Sequence, residues 1–199
     1  MFTGIIETIG KIIKIENDMS NFNLIIKSNF SHSLSIGESV AHNGVCLTVT
    51  HINDNLYKVN CVKETLSKTN LGILKVGDKI NLERSLNLNS RINGHFMQGH
   101  VDCLGNCSLI NKESGNIFFK FEYPKKFQNL IFEKGSICIN GASLTISKIN
   151  DDELTFEVCI IPHTLNQTTF QFMKEQDKVN LEFDIISKQI NRTVSLLKL

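Results

Sequence analysis

The chain has 199 residues, which suits one large domain or two small ones, and its 41% hydrophobic and 21% charged residues are typical of a globular protein. A formal net charge of +1 argues against binding to nucleic acid or to an anionic membrane. The first residues lack a basic segment followed by an apolar core, and no apolar run reaches a membrane-spanning length, so neither a signal peptide nor a membrane anchor is expected. We therefore expect free thiols in a reducing cytoplasm at Cys46, Cys61, Cys103, Cys107, Cys138 and Cys159.

Short runs of β-branched and aromatic residues follow one another along the chain and are typical of strands. In chain order they lie at residues 24–26, 46–49, 56–59, 117–121 and 154–158, with clusters of Gly, Asn and Asp between them. The Asn-Gly pairs at 43–44 and 140–141 are turn signals that precede a strand. Many short strands at nearly regular spacing favour a closed antiparallel barrel or a sandwich.

Only the end of the chain has helical periodicity. Between Ser187 and Leu199 the apolar residues recur three or four positions apart, which predicts a short amphipathic helix. Such a helix either covers a barrel or packs against the same helix of another subunit. The spacing does not choose between these two alternatives.

The two halves of the chain repeat each other. Residues 43–49 match 140–146 at an offset of 97, and residues 78–83 match 177–182 at an offset of 99. An offset that changes so little indicates one ancestral unit that was duplicated, with short loop insertions. Each unit is long enough to bury its own core. The predicted divisions are two domains at 1–93 and 94–186 and a C-terminal helix at 187–199.

Each repeat places two small polar residues around a leucine in its Asn-Gly motif. Cys46 and Thr48 flank Leu47 in the first repeat, and Ser143 and Thr145 occupy the equivalent positions in the second. Residues two apart in a strand share a face, so each pair is predicted to face one ligand while the leucine points elsewhere. Hydroxyl and thiol groups bond ligand oxygen atoms and relay protons. The alternative is structural, because a strand cysteine is commonly an inert buried residue and threonine favours strands.

The remaining histidines and cysteines give weaker signals. His100, Cys103 and Cys107 have a loosely metal-like spacing, but no second ligand pair follows them, so no zinc site is expected. His42 and His51 flank the first Asn-Gly motif without a partnered carboxylate, and both are interpreted as surface histidines. The sequence has no phosphate-binding glycine loop and no Gly-x-Ser-x-Gly motif.

Five motifs occur in order along the chain: MFTGIIE at 1–7, NGVCLTV at 43–49, GHFMQGHVD at 94–102, NGASLT at 140–145 and IPHTL at 161–165. Together they resemble the motifs of the riboflavin synthase family. The resemblance extends from residue 1 to about residue 190. Asn93 and Asn140 stand where many members have Gly and Asp, and both replacements suit turns. The resemblance implies an all-β chain with two tandem, homologous six-stranded antiparallel Greek-key-like barrels and a short C-terminal helix, assembled as a homotrimer.

The resemblance also implies a reaction that needs no cofactor and no metal. One molecule of 6,7-dimethyl-8-ribityllumazine gives a four-carbon unit to a second, and the products are riboflavin and 5-amino-6-(D-ribitylamino)uracil. Each barrel would bind one lumazine, and an active site with two substrate molecules would lie between barrels of neighbouring subunits. A duplicated binding module suits this reaction, because holding two reactants face to face is worth on the order of 7–11 kcal/mol in favourable cases.

The resemblance assigns catalytic roles to Ser39, Cys46, His100, Ser143 and Thr145. The N-terminal barrel's lumazine would contact Gly4, Ile5, Ile6, Ser39, Cys46, Leu47, Thr48, Asn60, Cys61, Val62, Lys63, Glu64 and Thr65. The C-terminal barrel's lumazine would contact Gly99, His100, Val101, Lys134, Ser143, Leu144, Thr145, Cys159, Ile160, Ile161, Pro162, His163 and Thr164. Some of these have structural alternatives, since His100 suits a satisfied core histidine and Lys134 a solvated turn lysine.

The sequence leaves open the roles of two residues outside these sets. Phe2 is expected either to stack on a ligand or to close one end of a barrel. Asp184, which aligns with Ser85 in the repeat, is a weaker candidate for orienting the ribityl chain.

Two other functions compete with catalysis. A non-catalytic lumazine or flavin carrier would have the same fold, but such carriers tend to lose the polar motif of the second barrel, and this chain keeps both copies. A nucleic-acid-binding barrel would need a basic groove with stacking aromatics, and two tyrosines with a net charge of +1 do not supply one.

Overall fold

The structure, a computed structural model, describes residues 1–18, 21–87, 89–113 and 115–197. The first half contains the strands β1 (Thr8–Asp18), β2 (Asn21–Lys27), β3 (Ser39–His42), β4 (Val45–Asn53), β5 (Leu56–Val62) and β6 (Lys79–Arg84). The second half contains β7 (Cys103–Glu113), β8 (Asn116–Glu122), β9 (Ser136–Ile139), β10 (Ala142–Asn150), β11 (Thr155–Ile160) and β12 (Lys178–Phe183). The helices are α1 (Lys63–Lys68), α2 (Pro162–Gln167) and α3 (Ile185–Leu197).

Each half closes into a six-stranded antiparallel barrel. The first ring runs β1-β2-β5-β4-β3-β6, and the second has the same cyclic order with the equivalent strands. Strands β1, β4, β7 and β10 each carry a register shift, at matching positions in the two barrels. Such bulges bend a strand and so help a small sheet to close on itself. The predicted pair of tandem barrels is confirmed, and the sandwich alternative is wrong.

The Asn-Gly turns bring the two barrels together. Asn43 and Gly44 have φ of 45° and 80°, and Asn140 and Gly141 have 47° and 82°, which are the left-handed values of a tight hairpin turn. A Cβ on Gly44 would lie 2.8 Å from the Gly141 nitrogen, and a Cβ on Gly141 would lie 2.7 Å from the Gly44 nitrogen. Glycine at both positions is therefore required by the close approach of the two turns as well as by φ.

Buried asparagines hold this contact in a reciprocal arrangement. Asn81 Nδ2 donates to the Asn140 carbonyl and Asn180 Nδ2 to the Asn43 carbonyl, both at 2.8 Å, so each barrel bonds to the other's turn. Within each barrel the turn asparagine returns a bond, from Asn81 N to Asn43 Oδ1 at 2.9 Å and from Asn180 N to Asn140 Oδ1 at 2.8 Å. The paired bonds relate the barrels by an approximate twofold axis and fix their relative position.

Each barrel has its own apolar core. Leu47 and Leu144 are 7% and 9% exposed and lie in the first and second cores, while Thr48 and Thr145 beside them are exposed. The predicted alternation in the two Asn-Gly motifs is confirmed. Strand β11 begins at Thr155, one residue later than the predicted run, because Leu154 occupies the preceding turn with φ of 54°.

His42 lies inside the first barrel, whereas the sequence interpretation made it a surface histidine. His42 is fully buried, and its Nε2 lies 2.8 Å from the hydroxyl of Tyr57 inside the barrel. The equivalent positions in the second barrel are Ile139 and Phe156, which both belong to its apolar core. The prediction of a surface histidine is wrong at His42, because the alternation of β3 turns this side chain inward. His51 is exposed, as expected.

Helix α3 follows the second barrel and begins two residues before the predicted segment; residues 198–199 lie outside the described ones. Lys188 of α3 forms an ion pair with Asp102 at 2.9 Å, which anchors the first turn of the helix beside β7. Ile185 is half-buried, whereas the other apolar side chains of the helix are exposed: Ile186, Ile190, Val194, Leu196 and Leu197. No helix in the described part of the chain is long and apolar enough to span a membrane.

Candidate active site

One short segment with a glycine precedes the first strand of each barrel: residues 3–4 before β1 and residues 98–100 before β7. A buried carboxylate accepts backbone hydrogen bonds from each of these two glycine segments. Glu83 at the end of β6 accepts hydrogen bonds from Thr3 N at 2.7 Å and from Gly4 N at 3.0 Å. Glu182 of β12 accepts from the backbone of residues 98, 99 and 100 at 2.7, 3.0 and 3.1 Å. Burial raises the pKa of both carboxyl groups, and the backbone donors oppose this effect by stabilising the charged form.

Each glycine segment crosses to the opposite barrel. The carbonyl of Gly4 accepts from Ser143 N at 2.9 Å, and the carbonyl of Gly99 accepts from Cys46 N at 2.9 Å. The apolar residues that come next in each segment also contact the opposite barrel: Ile6 packs against the core of the second barrel, and Val101 packs against the core of the first. The predicted grouping, which placed Gly4 with Cys46 and Gly99 with Ser143, is therefore wrong. Each segment is tied to its own barrel through a glutamate and covers the polar pair of the other barrel.

The first polar group consists of Ser39 on β3 and of Cys46 and Thr48 on β4. Ser39 is the strand partner of Thr48, and Cys46 is half-buried two residues before it on the same face. Gly99 brings the exposed His100 next to this face through its bond to Cys46 N. Ser39, Cys46 and His100, all predicted to be catalytic, thus belong to one region of the molecule, although Ser143 and Thr145 belong to another.

Residues after β5 form the rim of the first group. Asn60 donates to Asn23 Oδ1 at 3.0 Å and is half-buried, and Val62, Lys63 and Glu64 are exposed where helix α1 begins. Thr65 is half-buried, and its carbonyl accepts from the Thr69 hydroxyl. Cys61 is different, because it is fully buried in the first core and burial raises the pKa of its thiol to about 12. Only its backbone can border a ligand.

The second polar group repeats this construction. Ser143 is half-buried and Thr145 exposed on β10, and Thr145 pairs with Ser136 as Thr48 pairs with Ser39. The rim residues Cys159, Ile161, Pro162, His163 and Thr164 are exposed or half-buried around the start of α2. Ile160 is only 1% exposed and lies in the second core, as does Leu144. Lys134 is exposed in a turn with φ of 66°, which fits the solvated alternative.

The second group contains one histidine that the sequence interpretation missed. His95 Nδ1 lies 2.6 Å from Ser143 Oγ, and its Nε2 is buried with no hydrogen-bond partner among the residues described. Burial lowers the pKa of this imidazole, and the negative charge of Asp184 opposes the shift. His95 belongs to the GHFMQGHVD motif, but its position has no repeat equivalent in the alignment, so comparison of the halves gave no signal for it.

The structure also gives the surroundings of two other residues whose roles the sequence leaves open. Phe2 is fully buried between the barrels with Ala41, Met97 and Cys138, so it closes the junction and has no surface on which a ligand could stack. Asp184 accepts from Ile186 N at 2.8 Å and caps the start of α3. All six cysteines are free thiols, and no group of three metal-ligating side chains occurs within the described ranges.

The structure has two equivalent barrels, each with the same arrangement of a glycine segment and a polar pair, and the family comparison identifies the class. The sequence profile of the family described as "Lumazine binding domain" matches residues 3–85 and 98–184, one copy on each barrel. Proteins named riboflavin synthase match over almost the whole chain. The protein from Buchnera aphidicola subsp. Schizaphis graminum is 41% identical over 202 residues, which cover 99% of this chain and 95% of that protein. The riboflavin synthase of Actinobacillus pleuropneumoniae is 38% identical, covering 96% and 89% of the two chains.

Solved structures give the same fold. The crystal structure of LumP complexed with 6,7-dimethyl-8-(1'-D-ribityl) lumazine superposes with a TM-score of 0.82 at 23% identity. LumP complexed with riboflavin superposes with the same TM-score of 0.82 at 26% identity. Both alignments cover 92% of this chain and 99% of LumP. The chain belongs to the riboflavin synthase family.

Proposed function

We propose that this chain catalyses the riboflavin synthase reaction, in which one lumazine gives a four-carbon unit to another and the products are riboflavin and 5-amino-6-(D-ribitylamino)uracil. The observation that carries the proposal is the duplicated site. Both barrels present a half-buried thiol or hydroxyl followed by an exposed threonine, and both have a glutamate-held glycine segment beside that pair. A dismutation of two identical molecules needs two similar binding sites, and the similarity of the two polar groups supports this role for them.

The chemistry requires positioning and proton transfer more than a strong nucleophile. The methyl group on C7 of lumazine is acidic because the ring delocalises the resulting anion. Hydroxyl groups such as those of Ser143 and Thr145 supply hydrogen bonds to ring oxygens, and a neutral imidazole accepts a proton near neutral pH. The Cys46 thiol and the His100 imidazole supply the same types of group at the first barrel. No metal and no cofactor is needed for any of these steps.

We propose further that the working enzyme is a homotrimer, with each active site between the N-terminal barrel of one subunit and the C-terminal barrel of the next. The exposed apolar side chains of α3 support an oligomer. Ile186, Ile190 and Val194 recur four residues apart and are 60%, 59% and 43% exposed, which leaves one stripe of the helix without a partner in the single chain. We also propose a cytoplasmic location, which suits six unpaired cysteines.

The alternative function is a lumazine or flavin carrier, and a conversion assay separates the two. Purified protein is mixed with 6,7-dimethyl-8-ribityllumazine without added metal or cofactor, and riboflavin absorbance is followed. The proposal predicts that riboflavin appears at half the rate at which lumazine disappears. Tight binding of lumazine with no riboflavin formed would move the chain to the carrier class.

A further inference from the structure

The two barrels differ at one contact that bears on proton transfer. In the second barrel His95 Nδ1 lies 2.6 Å from Ser143 Oγ. In the first barrel the equivalent of Ser143 is Cys46, and no histidine nitrogen is hydrogen-bonded to it in the portion of the chain that the structure describes. The nearly symmetric pair of sites is therefore asymmetric in its acid–base groups.

The position of His95 is fixed by the segment between the barrels. Its backbone nitrogen donates to the Thr3 carbonyl at 3.2 Å, and two residues later Phe2 and Met97 exchange a pair of backbone bonds of 2.9 and 3.1 Å. Gly94 permits this path, because a Cβ there would lie 2.0 Å from the Thr3 oxygen and 2.8 Å from the Ser143 Cβ. The imidazole is thus held beside Ser143 by backbone hydrogen bonds at His95 and at Met97, which is the preorganisation that a proton relay requires.

The protonation chemistry of the pair follows from its surroundings. Desolvation lowers the pKa of His95, so the ring is neutral at pH 7 and free to accept a proton, while Asp184 provides a nearby negative charge for the cation that would form. Ser143 and Thr145 share one face of β10, and Thr145 is exposed on it. The Ser143 hydroxyl therefore stands between a buried base and the face on which the proposed function binds a lumazine.

We propose that His95 acts through Ser143 as the base that removes the first proton, and that the lumazine in the C-terminal barrel is the molecule that loses it. The C–H bond of the acidic methyl breaks and its proton passes to Ser143 Oγ. The hydroxyl proton of Ser143 passes at the same time to His95 Nδ1, and the electron pair stays in the lumazine ring. The products are a lumazine anion and an imidazolium, and charge and atoms balance. This inference rests on the proposed function.

Deuterium exchange tests the relay without requiring turnover. Lumazine is incubated with the enzyme in D₂O, and loss of the methyl proton signal is followed by NMR. His95→Asn preserves a hydrogen-bonding atom where Nδ1 stands but cannot take up a proton, so exchange should fall by about 100-fold or more while lumazine affinity changes little. Ser143→Ala removes the other end of the relay without altering the linking segment, and it should cause a similar loss. His32→Asn, at an exposed turn position, is the matched control.

Exchange at the wild-type rate in either His95→Asn or Ser143→Ala would overturn the inference, because the relay has no other route. That result is distinct from a failure of the proposed function. If the wild-type chain forms no riboflavin from lumazine, the function itself is wrong. If it forms riboflavin while His95→Asn exchanges normally, only the relay is wrong.

Discussion

Acid should weaken the first barrel specifically through His42. The imidazole is fully buried, and burial lowers its pKa from 6.5 to about 4, although the carbonyls of Val40 and Val45 oppose the shift. Its Nδ1 has no hydrogen-bond partner within the described residues, and Nε2 is satisfied by the Tyr57 hydroxyl. Replacing the pair by the residues of the second barrel, His42→Ile with Tyr57→Phe, removes the titrating group and supplies an apolar pair that the same fold accommodates at Ile139 and Phe156.

The size of the effect follows from linkage. The folded state holds His42 neutral down to about pH 4, whereas the unfolded chain protonates it near 6.5, so the unfolded state binds more protons between these values. Stability is therefore lost as the pH falls through this window and is unaffected above it. Between pH 7.5 and pH 5 the loss is about 2 kcal/mol, taking 1.36 kcal/mol per pKa unit.

Urea unfolding at the two pH values measures this directly. The free energy of unfolding of the wild-type chain should fall by about 2 kcal/mol more than that of the double variant. Comparing the two proteins cancels the contributions of groups they share, including the raised pKa values of Glu83 and Glu182, which change stability in the opposite direction. Equal pH dependence in both proteins would refute the claim that His42 is buried in its neutral form.

Three further predictions concern the site and the assembly. Glu182→Gln replaces a carboxylate that accepts three backbone bonds, so kcat/KM should fall about 10-fold or more, whereas the exposed Glu113→Gln should have no effect in the same assay. Gly44→Ala should lower the free energy of unfolding by about 2 kcal/mol or more, because it adds a clash with Gly141 to the cost of positive φ. Gly37 has φ of 91° and open space where a Cβ would lie, so Gly37→Ala measures in urea titration the cost of positive φ alone. If Gly44→Ala and Gly37→Ala lose the same free energy of unfolding, the clash with Gly141 contributes nothing. Removal of residues 187–199 should give monomers in analytical ultracentrifugation, and a truncated chain that still sediments as a trimer would exclude α3 from the interface.

The repeat is the reason that the sequence predicts so much of this fold. Offsets of 97 and 99 between the halves imply two equivalent units, and the Asn-Gly pairs place the turns that join them. The alternation around Leu47 and Leu144 predicts which side chains face the cores. These features are local, since hairpin geometry and strand periodicity are encoded within a few residues.

The contacts that the sequence does not predict are those between the barrels. Comparison of the halves shows that Gly4 and Gly99 are equivalent, but it carries no information on which barrel each segment covers, and the structure reverses the expected grouping. Glu83 and Glu182 are visible as a repeated position, yet glutamate is by default an exposed residue, so their burial under the glycine segments has no sequence signal. His95 was missed in the sequence for a different reason: this residue lies between β6 and β7, before the second copy of the repeat begins, so it has no equivalent in the first half.

Subunit mixing tests the central claim that two barrels from neighbouring chains build one catalytic site. Cys46→Arg blocks the first polar group and Ser143→Arg the second, so each variant alone should convert lumazine to riboflavin at a negligible rate. Unfolding the two variants together and refolding them should restore about a quarter of the wild-type activity, since random pairing brings two intact barrels together at that frequency. Wild-type conversion by either variant alone, or no recovery in refolded mixed trimers, would contradict the account.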